Sequence, residues 1–97
     1  MDVDAFRKST ELNAPPAGTA GPLAALWHVG KGDWKKAHAI VQDDESRAAA
    51  WVRAHLHRRK GEDEEALTWY EKAGRSPSEI EVDREWDEIA AGLLLHV

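Results

Sequence analysis

From Pro22 to the end of the chain, apolar residues recur at spacings of three and four, the period of a helix with one buried face. Leu23, Leu26, Trp27 and Gly30 fall at i, i+3, i+4 and i+7, with Pro22 suited to a first helical position, and predict a helix over 22–30. Gly30 and Gly32 end it. Asp33 is a fitting N-cap for a second helix over 34–43, striped by Trp34, Ala37, Ile40 and Val41. Asp43-Asp44-Glu45-Ser46 closes that helix and opens a third over 45–60, with Ala48, Ala49, Val52 and Leu56 inward and Trp51 and His55 on an adjoining strip. Arg58-Arg59-Lys60 stand where the helix dipole favours cations, and Gly61 follows as the stop. Glu62-Asp63-Glu64-Glu65 begins a fourth helix whose inner stripe is Ala66, Trp69, Tyr70 and Ala73, ended by Gly74. After a loop at 75–79, Trp86, Ile89, Ala90, Leu93, Leu94 and Val97 mark a last helix over 83–96.

Residues 1–21 read differently. A weak helical stretch, Val3 to Leu12, is followed by Asn13-Ala14-Pro15-Pro16-Ala17-Gly18, which cannot continue a helix. This is a partly ordered N-terminal arm that docks, where it docks, through Val3, Phe6 and Leu12. Residues 22–97 form the single helical domain.

One device occurs twice. Lys31-Gly32-Asp33 and Ala37 recur, 29 positions later, as Lys60-Gly61-Glu62 and Ala66. Trp27 then falls on Leu56 and Ile40 on Trp69. A glycine for a tight turn, an acidic N-cap and a small alanine predict two antiparallel hairpins, 22–43 and 45–74. At these residues the chain resembles the tetratricopeptide superfamily: Gly61, Ala66 and Trp69-Tyr70-Glu71-Lys72-Ala73 look like the second half of such a repeat, and Gly32-Asp33-Trp34 with Ala37 like a shorter copy. The series Trp27-His28, Gly32-Asp33-Trp34, Ala37-His38 and Val41-Gln42 is similar to that of a group of small bacterial proteins. The resemblance implies an all-α fold of two tetratricopeptide-like hairpins, a C-terminal capping helix, and a protein or peptide as partner. The 29-residue offset is shorter than the roughly 34 of the standard repeat.

Composition narrows the chemistry. Thirteen Lys and Arg against 18 Asp and Glu leave a charge of −5, which argues against nucleic acid as a partner. No apolar run approaches the roughly 20 residues of a membrane span, and Met1-Asp2-Val3-Asp4 is acidic where a signal peptide is basic, so a cytoplasmic location is expected. The chain has no cysteine, so disulfides, thiolate zinc sites and thiol nucleophiles drop out. His55 and His57, at i and i+2, point about 200° apart on a helix and cannot share an ion. Ser46, Ser76 and Ser78 fit caps and loops rather than a nucleophile elbow. No catalytic residue, metal set or cofactor motif is assigned, and an enzyme is the less favoured class.

Two constellations remain. Five Trp stand beside one Tyr and one Phe, each able to bury about 150–250 Å². Trp27, Trp34, His38, Trp51, His55 and Trp69 come together if the hairpins fold as expected, either as core or as a ligand-binding cleft; their indole N–H groups have His38, His55 and Gln42 within reach as partners. Arg53 and His57, with Arg58 beside them, lie on one helix face and could receive an anion or be a solvated strip. The function expected is a protein or peptide interaction module; the alternative is a small-ligand or metal binder using the Trp/His cleft. A symmetric homodimer through a hairpin face or Leu93-Leu94-Leu95 is compatible with either.

Overall fold

The computed structural model describes residues 1–95, and the expectation for Val97 lies outside them. Among the described residues the chain forms six α-helices and no strand: α1 (Val3–Ser9), α2 (Gly21–Gly30), α3 (Trp34–Val41), α4 (Arg47–Arg59), α5 (Asp63–Ala73) and α6 (Val82–Leu94). The all-α reading therefore stands. No helix here is long and apolar enough to cross a membrane.

The repeated turn is visible atom by atom. Gly32 and Gly61 both take positive φ, +83° and +77°, which only a residue without Cβ adopts freely. Each turn then closes with a backbone N–H reaching back five residues: Asp33 to the His28 carbonyl at 2.9 Å, and Glu62 to that of His57 at 2.9 Å. Where the two copies differ is the cap. Asp33 is short enough for Oδ1 to accept from the Lys36 N–H at 3.1 Å, whereas the longer Glu62 turns aside and pairs with His57 Nδ1 at 2.9 Å. As a result α3 packs on α2 and α5 on α4, the latter being the most extensive contact in the fold.

The start of α4 lies two residues later than expected, because the Ser46 hydroxyl accepts from the Ala49 N–H at 3.1 Å and fixes the cap there. Asp44 Oδ1 accepts the Ser46 N–H in turn, at 2.9 Å.

α1 begins on Asp2, whose carboxylate caps the Ala5 N–H at 2.8 Å. It docks through Phe6, which is completely buried and stacks on Trp86 at 5.6 Å between ring centroids. The Leu12 side chain stays 62 % exposed, and it is the Leu12 carbonyl that holds the arm, accepting from Lys31 Nζ at 2.8 Å.

α6 crosses α1, α2 and α4; with α5 it is linked through side chains. Its stripe of Trp86, Ile89, Ala90 and Leu93 is buried, and the Trp86 indole donates to the Leu26 carbonyl at 2.8 Å. Gly92 sets how closely α6 lies on α4, since a Cβ there would stand 2.8 Å from the Trp51 ring.

Gly92→Ala is expected to cost stability despite its better helix propensity. Overpacking of this kind costs about 1–3 kcal/mol and the propensity gain is about 1 kcal/mol. A net loss of about 1 kcal/mol, and at most about 2 kcal/mol, in urea unfolding is the expected outcome. An unchanged or raised midpoint would mean that the Trp51 contact does not hold α6.

Candidate functional site

A buried polar cluster lies where α4, α5 and α6 meet. α4 supplies His55, Arg58 and Arg59, α5 supplies Tyr70, and α6 supplies Glu85. Glu85 is 1 % exposed, Tyr70 2 % and His55 0 %, so each polar atom needs a protein partner. His55 Nδ1 is 2.7 Å from Glu85 Oε1, and Arg58 Nη1 donates to the same oxygen at 3.2 Å. The Tyr70 hydroxyl donates to Glu85 Oε2 through a short hydrogen bond. On the far side of the imidazole, Arg59 Nε donates to His55 Nε2 at 2.7 Å, while Arg59 Nη2 reaches Asp83 at 3.1 Å.

These contacts fix the protonation states. A nitrogen that accepts from a guanidinium carries no proton, so His55 is neutral with its hydrogen on Nδ1, donated to Glu85. Burial pushes His55 below its ordinary value and outweighs the Glu85 hydrogen bond that acts the other way. Burial pushes Glu85 up, but hydrogen bonds from His55, Tyr70 and Arg58 hold it below its ordinary value, as a carboxylate. Tyr70 is raised well above its ordinary range, first by burial and then by the anionic neighbour. The cluster is a satisfied clamp: every acid and base in it is committed to holding another.

The residues singled out from the sequence are dispersed. Trp27 is 1 % exposed and donates its indole N–H to the Ser9 hydroxyl at 3.0 Å, not to the His or Gln partners expected for it. His55 belongs to the clamp. Trp34 and His38 are half-buried on α3. Trp51 and Trp69 line different cavities, each beneath a guanidinium: Arg75 lies 3.4 Å from the Trp51 ring centroid and Arg53 lies 3.7 Å from that of Trp69. The strip of Arg53, His57 and Arg58 is likewise divided, with His57 on Glu62 and Arg58 on Glu85 and the Ile80 carbonyl. Among the described residues no three His, Asp or Glu side chains gather to hold a metal ion.

What does assemble is Arg53 with Trp69. They line a cavity of about 440 Å³ between the end of α3, the start of α4 and α5, together with Gln42, Asp44, Ser46 and Lys72. Lys72 Nζ is 4.3 Å from the Trp69 ring centroid. Arg53 Nη1 donates to the Gln42 carbonyl at 3.3 Å, but its Nε is buried without a partner. Burial lowers the pKa of this guanidinium, with Asp43 acting against it.

Glu85 is the residue that the helical stripe did not flag. It sits at i relative to Ile89 at i+4 and Leu93 at i+8, so a carboxylate on the apolar row was the available signal.

No family model, curated protein or solved structure matches the chain.

The clamp predicts acid lability. A His lowered in the fold lets the unfolded chain take up its proton first, so stability is full above about pH 6.5 and falls below it. The depressed Glu85 contributes above its ordinary 4.5, and that part is lost as pH falls through its folded value. Urea midpoints taken from pH 8 downwards are expected to decline in this order. His55→Gln should shrink the first decline without abolishing it, because burial also lowers His28 and His38. A decline of unchanged size would remove His55 from the explanation. Glu85→Ala, which strands three polar partners, should cost about 3–5 kcal/mol at neutral pH.

Proposed function

We propose that the protein is a cytoplasmic protein- or peptide-interaction module of two tetratricopeptide-like hairpins, α2–α3 and α4–α5, with α6 as capping helix, and that Arg53 receives a carboxylate of the partner. The duplicated turn at Gly32 and Gly61 supports the hairpin reading, since hydrogen bonds and φ values recur in register. α6 lies across α2 and α4, so the face made by the first helix of each hairpin is already covered. The surface left for a partner is on the side of α3 and α5, where the Arg53 cavity opens.

The observation that carries the reading is the unpartnered, buried Nε of Arg53 above Trp69. Stacking on an indole contributes about 0.5–2 kcal/mol and holds the guanidinium flat without using its in-plane N–H donors. A carboxylate is the planar acceptor that fits such a fork. Lys72 adds a second positive charge, and the Trp69 ring offers an apolar floor for the rest of the side chain. Asp44 and Glu45 at the same cavity disfavour a run of acids. The partner segment is thus one carboxylate among neutral or basic neighbours.

An array of short peptides, each made with free and with amidated carboxyl groups, checks this. Binding is expected only where a carboxylate is free, and Arg53→Ala or Trp69→Ala should each weaken it about tenfold, with Arg84→Ala as an unaffected control. Peptides that bind Arg53→Ala as tightly as the parent protein would refute the site.

A further inference from the structure

We infer that the cavity between Arg47, Arg75 and Trp51 is a second binding site, for a small organic oxyanion. It does not rest on the peptide reading. At 100° per residue, Trp51 and Arg53 point about 200° apart, so this cavity lies on a different face of α4 from the Arg53 cavity.

The cavity has a volume of about 450 Å³ and is bounded by the first turn of α4, the end of α5 and Leu93 of α6. Its lining contains two arginines and no acid. Asp44 and Glu45 line the Arg53 cavity and Asp83 and Asp87 the one beside Arg59, while the cavity under the 74–80 loop shares Trp51, Gly74 and Arg75 with this one and adds Glu79, Glu85 and Glu88 on its far side. Arg7, Arg58 and Arg59 each have a carboxylate within 4.0 Å; among the described residues, neither Arg47 nor Arg75 has one.

Geometry prepares Arg75 and brings Arg47 near it. The Arg75 guanidinium lies 3.4 Å from the Trp51 ring centroid, which orders the group and leaves its in-plane donors unused. The Arg47 guanidinium reaches Gly74, the residue before Arg75: its Nη1 lies 3.8 Å from where a Cβ on that glycine would stand. Two guanidinium groups lining one cavity suit an acceptor with two or more oxygens, which a carboxylate and a phosphate both provide. The remaining walls, Ala48, Ala73, Leu93 and the indole edge, are apolar and match a hydrocarbon or aromatic group carrying that anion.

The test is a titration of the whole protein with benzoate, phenyl phosphate and benzylammonium, followed by the Trp51 indole and Arg75 side-chain resonances. Saturable binding of one or both anions is expected, with a dissociation constant of about 1 mM or tighter, and the tighter of the two identifies the oxyanion. Arg47→Ala/Arg75→Ala should weaken it by about tenfold or more, and Arg84→Ala, outside both arginine cavities, should leave it unchanged. Arg75→Lys, which keeps the charge but not the fork, should fall between, and it decides the question if the double variant does not fold. The inference is overturned if neither anion saturates, if benzylammonium binds equally well, or if Arg75→Lys or the double variant binds with full affinity.

Discussion

The ionised carboxylate of Glu85, buried among three helices, is the constraint that orders the rest of the molecule. Removing such a group from water costs several kcal/mol after relaxation, so the fold persists only if its oxygens are fully occupied. His55 and Arg58 fill Oε1 and Tyr70 fills Oε2. Their positions are not interchangeable: His55, Arg58 and Arg59 sit at i, i+3 and i+4, so one face of α4 presents all three to α6. Arg59 never touches the carboxylate, yet it selects the tautomer that lets His55 donate to it. A sliding or rotated α6 would leave a buried charge without partners. Apolar packing alone would penalise that movement far less, because Trp86, Ile89 and Leu93 could repack against other aliphatic neighbours.

That placement decides which surfaces remain. With α6 laid over α2 and α4, and Phe6 of α1 stacked beneath Trp86, the inner faces of both helix pairs are core. The alanines of α4, at 49, 50 and 54, are what allow so many helices to meet one another closely. Four of the five indoles are consequently used in two ways. Trp27 and Trp86 are sealed, each donating to an oxygen that its own neighbourhood supplies. Trp51 and Trp69 stand at the margins of the α4–α5 pair, and a guanidinium covers each. Trp34 is half-buried on α3.

Much of this was legible in the residues. Spacing alone located the five helices after Pro22 to within two residues at most ends, because each has a strong terminator or cap: Gly30, Asp33, Gly61, Gly74. The repeated turn was legible for the same reason, as glycine at positive φ and an acid after it are local requirements. What escaped was long-range. Arg58 and Arg59 read as ordinary cations at a helix end, and only the arrival of α6 turns them towards Glu85 and His55. The Trp51–Arg75 and Trp69–Arg53 pairs join residues 16 to 24 positions apart across a hairpin, and no local pattern announces which cation will settle on which ring. The cluster expected from Trp27, Trp34, His38, Trp51, His55 and Trp69 assumed that side chains on neighbouring helices would face one another; burial instead distributes them among core, clamp and two cavities.

The overall charge of −5 also says less about recognition than it first suggests. Screening at physiological salt acts over about 8 Å, so an anion in a pocket responds to the groups that line it far more than to the total. Among the described residues five of the seven arginines fall into two sets. Arg7, Arg58 and Arg59 are neutralised by carboxylates and hold helices together. Arg53 and Arg75 are held by indoles, which orient a guanidinium without cancelling its charge. A carboxylate partner satisfies and neutralises; an aromatic partner satisfies neither the charge nor the donors. A chain rich in acids that nevertheless seats two arginines on tryptophan therefore keeps cationic donors ordered at its surface, which is the physical requirement for selecting an anion.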